Sequence, residues 1–189
     1  FTYDTLDRTV MVRTPDSKAP GGLATTSTVY TFGQLNNAGP IYAMTIVVDP
    51  EGNKVGGANR RGTKVSYKDV DDHIAAVVEY NNGVPRTTTY EYDPLGQITT
   101  VKDDKGNITS VAYDQVGRRT QITNPDTGVT RYDYDANGNL AGKQSAKNEK
   151  INYKYVFNRL TDIFYPQSTS VHYDYGAMNE AYNRACRIK

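Results

Sequence analysis

The chain has 189 residues, the size of one domain or of a piece of a longer protein at about 150 residues per domain. Lys and Arg number 22 against 21 Asp and Glu, a net charge of +1, and neither half carries a strong excess, so no nucleic-acid footprint is indicated. No apolar run approaches the ~18 residues that span a bilayer as a helix. Sixteen Tyr, four Phe and no Trp join abundant Thr and Val, types that favour a pleated, half-buried surface over a helix. Apolar residues and Gly together make up about 45%, enough for a core. With Asn-Gly and Asp-x-x-Gly clusters recurring throughout, these counts exclude a helical bundle and favour an all-β fold.

In chain order, the sequence opens at Phe1 with neither Met nor a signal-peptide pattern and enters Tyr3-Asp4-Thr5-Leu6-Asp7-Arg8 at once. Both ends fall inside patterned sequence, as in an excerpt of a longer protein. Ser17–Ala24, with Pro20-Gly21-Gly22, reads as an enlarged hairpin loop. Ile41–Asp49 reads as a strand, followed by Asp49-Pro50-Glu51-Gly52 and a Gly-rich stretch to Gly62. Lys64–Tyr67 and Ile74–Tyr80 read as strands around a degenerate turn at Asp69–His73, and Tyr80-Asn81-Asn82-Gly83 is a hairpin signal.

From there the chain repeats. Tyr92-Asp93-Pro94-Leu95-Gly96, Tyr113-Asp114-Gln115-Val116-Gly117 and Tyr134-Asp135-Ala136-Asn137-Gly138 follow one another at a spacing of 21 residues. A further step reaches Tyr155-Val156-Phe157-Asn158-Arg159-Leu160, and Tyr173-Asp174-Tyr175-Gly176 is another copy. No linker divides the chain. It reads as a single segment, with irregular repeats and enlarged loops over 1–83, regular repeats over 84–176, and over 177–189 a loop or short helix leading into a further strand.

Each unit reads as one β-hairpin. Asp suits the first position of a type I turn, Pro94 the second, and Gly the left-handed position that follows in a three-residue hairpin loop. Asp7 and Asn158 stand where Gly stands elsewhere, and Asn and Asp tolerate that conformation better than most residues. Gly96, Gly117, Gly138, Asp7 and Asn158 are therefore expected at positive φ, with the turn Asp accepting a backbone N–H two or three residues ahead. A second turn closes each far end, at Asp103–Asn107 and at Pro125-Asp126-Thr127-Gly128. Two strands of about 5–7 residues and two turns fill the period.

On the incoming strands Tyr90 and Tyr92 share a face with Thr88, Val111 and Tyr113 with Thr109, and Tyr132 and Tyr134 with Thr130. The opposite face carries Glu91, Ser110, Ala112, Arg131 and Asp133, with Ile108 and Val129 as exceptions. One face is thus aromatic and the other mostly polar. The outgoing strands, such as Gln97–Lys102 and Arg118–Thr123, do not alternate, and the pattern assigns them no face.

The Y-D-x-x-G units, Gly117-Arg118-Arg119-Thr120 and Asn158-Arg159-Leu160-Thr161 resemble the RHS/YD-repeat family, which includes bacterial rearrangement-hotspot proteins, toxin-complex shell components and teneurins. The resemblance is strong over 84–165, moderate over 1–32 and 64–82, and loose over 33–63. It implies a β-strip that spirals into a hollow shell, in bacterial members around a toxic C-terminal region. A short piece of such a strip is expected to be an open, curved antiparallel sheet. The implied repeat-motif residues are Tyr3, Asp4, Tyr92, Asp93, Gly96, Tyr113, Asp114, Gly117, Tyr134, Asp135, Gly138, Tyr155, Asn158, Tyr173 and Asp174. The expected role is a non-enzymatic shell segment, secreted or on a bacterial cell surface, whose partners are the rest of the shell and the enclosed domain. The alternative is a carbohydrate- or surface-binding module using the tyrosine face. Unpaired sheet edges would also allow a second copy to pair.

Chemistry is sparse. The family's aspartyl self-cleavage string needs Pro five residues before Asp-Pro, but Met44 and Thr88 precede Asp49 and Asp93, so both read as turns. Asp133-x-Asp135-x-Asn137-Gly138 begins like a calcium loop, yet its twelfth position is Gln144 instead of the bidentate Glu. His73, His172 and Cys186 lack zinc-ligand spacing. His73 reads as an exposed turn residue, where the family has a basic one, and His172 as a cross-strand partner. Asn107-Ile108-Thr109 matches a glycosylation sequon within a turn. Asp71-Asp72 and Asp103-Asp104 read as turn residues, and no phosphate-binding loop is present. No catalytic residue, metal or cofactor is implied.

Overall fold

In the computed structural model, residues 1–15, 23–36, 39–50 and 62–175 are described. Expectations for 17–22, for the Gly-rich 51–61, for Gly176 and for 177–189 with Cys186 lie outside these residues. The strands are β1 (Thr2–Tyr3), β2 (Thr9–Pro15), β3 (Leu23–Gln34), β4 (Ile41–Val48), β5 (Thr63–Lys68), β6 (Ile74–Asn81), β7 (Val84–Tyr92) and β8 (Ile98–Lys102). They continue as β9 (Ile108–Tyr113), β10 (Arg119–Asn124), β11 (Gly128–Tyr134), β12 (Leu140–Gln144), β13 (Lys150–Val156), β14 (Arg159–Phe164) and β15 (Val171–His172). Strand order follows chain order without a crossover, pairing is antiparallel, and the sheet is open. The fold is therefore all-β, as the composition and turn spacing imply.

Two compact units divide the chain, Phe1–Ile108 and Thr109–Lys189. In the first, Val65, Tyr67, Ala76 and Val78 form the core, with Leu35, Tyr42, Met44, Ile46 and Tyr80 packed against them. Strand β5 shows the two-residue period directly: Thr63, Val65 and Tyr67 are buried, while Lys64 is exposed. Registers Val77↔Thr88 and Ser66↔Val77 place those residues on the face of Tyr90 and Tyr92, whereas Ala76↔Thr89 and Val78↔Thr87 place the core on the other face. The expected aromatic face exists on β7, but this unit buries its opposite side. The reason lies in β5 and β6, which put Val65, Tyr67, Ala76 and Val78 on one side and Lys64, Ser66 and Lys68 on the other.

In the second unit, Tyr113, Tyr132, Tyr134, Tyr153 and Tyr155 are half-buried, and their strand neighbours Ala112, Arg131, Asp133, Lys154 and Val156 are exposed. Gly142 is the buried residue of β12. A Cβ there would meet Lys150 Cε at 2.9 Å and Asp133 Oδ2 at 3.0 Å. Glycine at this position lets the Lys150–Asp133 ion pair (2.8 Å) lie close over the sheet.

The outgoing strands carry a bulge that the sequence pattern does not announce. Tyr92 pairs with Ile98 but Glu91 with Thr100, leaving Thr99 as the extra residue. The same shift isolates Val10 and Ala75 in the first unit, and Thr120, Ala141 and Thr161 in the second. A bulge resets the two-residue alternation. Ile98 and Val101 therefore share the face of Tyr92 and Tyr90 although they stand three apart, as Leu160 and Ile163 share that of Tyr155 and Tyr153.

Candidate functional site

The feature that recurs at each repeat is its turn. Among the described residues, seven turns have one backbone pattern, in which the first residue donates its N–H to the carbonyl four ahead and accepts from the N–H three ahead. These turns begin at Asp4, Asp69, Asp93, Asp103, Asp114, Asp135 and Ser145. The fourth residue is left-handed in all seven: Asp7 +59°, Asp72 +66°, Gly96 +78°, Gly106 +87°, Gly117 +80°, Gly138 +87° and Asn148 +62°. This is the three-residue hairpin loop, a type I turn followed by a left-handed residue. The expectation for Gly96, Gly117, Gly138 and Asp7 is met, and the degenerate turn at Asp69–His73 has the same geometry.

The Asp side chain serves as the internal template of the turn. Asp93 Oδ1 accepts from Leu95 N at 2.9 Å and from Gln97 N at 2.9 Å, and Asp114 and Asp135 repeat both bonds. The donors lie two and four residues ahead; the N–H three ahead goes to the Asp carbonyl instead. The second carboxylate oxygen takes the side chain of the fifth turn residue: Arg8 at Asp4 (2.7 Å), Arg118 at Asp114 (2.7 Å), Asn107 at Asp103 (2.7 Å) and Asn139 at Asp135 (3.0 Å). These bonds stabilise the ionised form. The side-chain amides of Asn107 and Asn139, followed by backbone N–H groups, hold Asp103 and Asp135 below the usual carboxylate range against partial desolvation. The Arg8 N–H leads the same downward shift at Asp4.

Asn158 corrects the sequence reading. Val156 pairs with Arg159, and both intervening residues are left-handed, Phe157 at +50° and Asn158 at +59°. The positive φ is as expected, but the loop has two residues and matches a type I′ turn. Asn158 lies three residues after Tyr155, whereas Gly96 lies four after Tyr92, and that one-residue deletion selects the shorter turn. Asn82 (+52°) and Gly83 (+83°) form a loop of the same kind.

The motif tyrosines Tyr92 and Tyr134, and Tyr175 in place of the expected Tyr173, tie one hairpin to the preceding turn. Tyr92 Oη donates to Ile74 O at 2.9 Å, Tyr134 Oη to Arg119 O at 2.9 Å, and Tyr175 Oη to Leu160 O at 2.6 Å. Each acceptor follows the turn of the previous hairpin. The ring faces are used as well: Arg8 lies 4.2 Å over Tyr30, Arg118 4.6 Å over Tyr134, and Arg159 5.4 Å over Tyr175. His73 stacks on Tyr92 with centroids 4.7 Å apart. It is thus half-buried and not the exposed turn residue expected, because it occupies the place that Arg8 and Arg118 hold in their turns. Sequence reasoning also missed Thr99 and Thr120, whose hydroxyls donate across the bulge to Glu91 O and Ala112 O, and Thr161, whose hydroxyl lies 3.2 Å from Lys154 O at the same place but gives its proton to Asp162. Their recurrence seven residues after Tyr92 and Tyr113, and six after Tyr155, was the available signal.

The remaining motif residues are less integrated. Tyr3 is exposed on β1. Tyr173 donates its N–H to Thr161 O at 2.8 Å, and Asp174 lies 3.3 Å from His172 Nε2. The calcium-like residues have protein partners, Asp133 with Lys150 and Asp135 within its own turn. Asp69, Asp71 and His73 bring ligand-type atoms within 4.8 Å of one another. Asp69 Oδ1 already accepts from the N–H groups of Asp71 and His73, which accounts for this carboxylate as a turn element. Asp93 of the Asp-Pro string is likewise a turn template.

Residues 113–149 match the RHS Repeat family profile. The fold is similar to that in "Crystal Structure of TcdB2-TccC3-Cdc42", at TM-score 0.70 and 20% identity, covering 98% of this chain and 10% of that one. It is also similar to a Tc holotoxin pore of Photorhabdus luminescens carrying a TccC3 variant, at TM-score 0.69 and 17% identity over 98% of this chain. The chain spans about 10% of the length of either. No curated protein matches it. Residues 113–149 thus carry an RHS repeat, copies of its turn lie on both sides of it, and the fold is similar to that of the RHS-containing toxin structures.

Proposed function

We propose that this chain is a wall segment of a secreted bacterial RHS/YD shell that encloses a linked C-terminal toxin or effector, with no chemistry of its own. The observation that carries this reading is the repeated turn. In Asp4, Asp103, Asp114 and Asp135, both carboxylate oxygens are engaged in closing the turn they belong to. The tyrosines Tyr92, Tyr134 and Tyr175 give their hydroxyls to the preceding hairpin. Polar groups spent on joining one hairpin to the next make a building material, since a hairpin alone does not bury its apolar face. One ring face of Tyr30, Tyr92, Tyr134 and Tyr175 is covered by Arg or His, which supports packing as the use of these rings.

The test is limited proteolysis of the longer protein that contains this segment. Enclosure predicts that the region C-terminal to the repeats resists protease in the native protein and is digested once the shell is denatured. Digestion of that region at the same rate in both states contradicts the proposal.

A further inference from the structure

The last described hairpin ends on β15, which holds β14 through only two ladder pairs, Asp162↔His172 and Ile163↔Val171. His172 stands between two carboxylates: Nδ1 lies 2.6 Å from Asp162 Oδ1, and Nε2 lies 3.3 Å from Asp174 Oδ1. One carboxylate belongs to β14 and the other to the segment that follows β15. The Thr161 hydroxyl fixes Asp162 from the side, donating to Oδ2 at 2.8 Å. Among the described residues, the further charged group facing this cluster is Lys154 on β13, in register with Asp162. A neutral imidazole has one N–H and donates to one of the two carboxylates; the imidazolium donates to both.

We propose that His172 is a pH-sensitive latch that fastens β15 to β14 when its ring carries both protons. The direction follows from the neighbours. The hydrogen bond to Asp162 does most to raise the His172 pKa above 6.5, with the charges of Asp162 and Asp174 adding to it and desolvation opposing it. A raised folded value places the latch fully on below the ordinary histidine range and releases it as pH rises through that value. Asp162 is held below 3.8, chiefly by the bond from His172. The acid limit of the latch therefore lies below the usual carboxylate range.

The experiment combines a histidine NMR titration of the 189-residue chain with hydrogen exchange of the Tyr173 amide, corrected for intrinsic pH dependence. The expected result is titration of His172 above 6.5, with a return toward that value in Asp162→Asn. Corrected Tyr173 exchange is expected to accelerate about two- to fivefold between about pH 5.5 and about pH 8.5, the scale of an exposed ion pair. His172→Gln is expected to remove that pH dependence. Titration of His172 at or below the ordinary value overturns the proposal. So does equal pH dependence of Tyr173 exchange in the native chain and in His172→Gln.

Discussion

Gly106 isolates the backbone requirement of the repeated turn from every packing effect. Its φ is +87°, and a Cβ built there meets no atom within 4 Å. The Cβ of a Val placed there therefore meets no neighbour, and the substitution acts chiefly through the cost of the left-handed conformation. For a β-branched residue that cost is about 1–3 kcal/mol. The stiffer unfolded chain offsets about 0.4–1 kcal/mol of it, leaving a net loss of about 1–2 kcal/mol. For a chain of this length the corresponding drop in thermal midpoint is roughly 2–8 °C. Gly106→Asn is expected to cost less than half as much, because Asn148 holds the equivalent position of its own turn at +62°. Paired thermal and urea unfolding of the two variants measures the difference. Equal stability of Gly106→Val and the native chain, or equal loss in both variants, refutes the turn argument.

The remaining expectations address the other parts of the repeat. Tyr134→Phe removes the 2.9 Å bond to Arg119 O and is expected to lower stability by about 0.5–1.5 kcal/mol, read by urea unfolding. Val78→Ala removes buried methyls from the first unit's core and is expected to cost about 2 kcal/mol, whereas Val116→Ala, 73% exposed at a turn tip, is expected to stay within about 0.5 kcal/mol. The folded pKa values of Asp4, Asp103, Asp114 and Asp135 are lowered from 3.8. Their contribution is present above that unfolded value and is lost as pH falls through the lowered ones. Thermal midpoints measured from about pH 6 to about pH 2 are expected to fall at the acid end, less steeply in Asp135→Asn.

Most of the repeat was legible because its turn is encoded locally. Asp-x-x-Gly states both the side-chain template and the left-handed residue, and Asp93–Gln97 and Asp135–Asn139 fold accordingly. The outgoing strands were not legible because the bulge after Ile98, Arg119 and Leu160 depends on register against the preceding strand, and no local pattern states register. The shorter loop at Phe157-Asn158 was hidden for a related reason: an Asn at positive φ fits either loop length, and only the count back to Tyr155 separates them. His73 was misplaced because its surroundings come from Tyr92, 19 residues later in the chain. The core of the first unit fell on the face away from Tyr90 because Tyr67 and Ala76 have the opposite parity to Lys68 and Val77, a fact of strand pairing and not of composition.

The proposed enclosure is tested most directly by electron microscopy of a protein that carries this segment together with a C-terminal region. A hollow shell is expected, its wall including β1 to β15 side by side in chain order, with density for the C-terminal region inside. A repeat sheet standing open in solvent, with the C-terminal region outside it, contradicts enclosure.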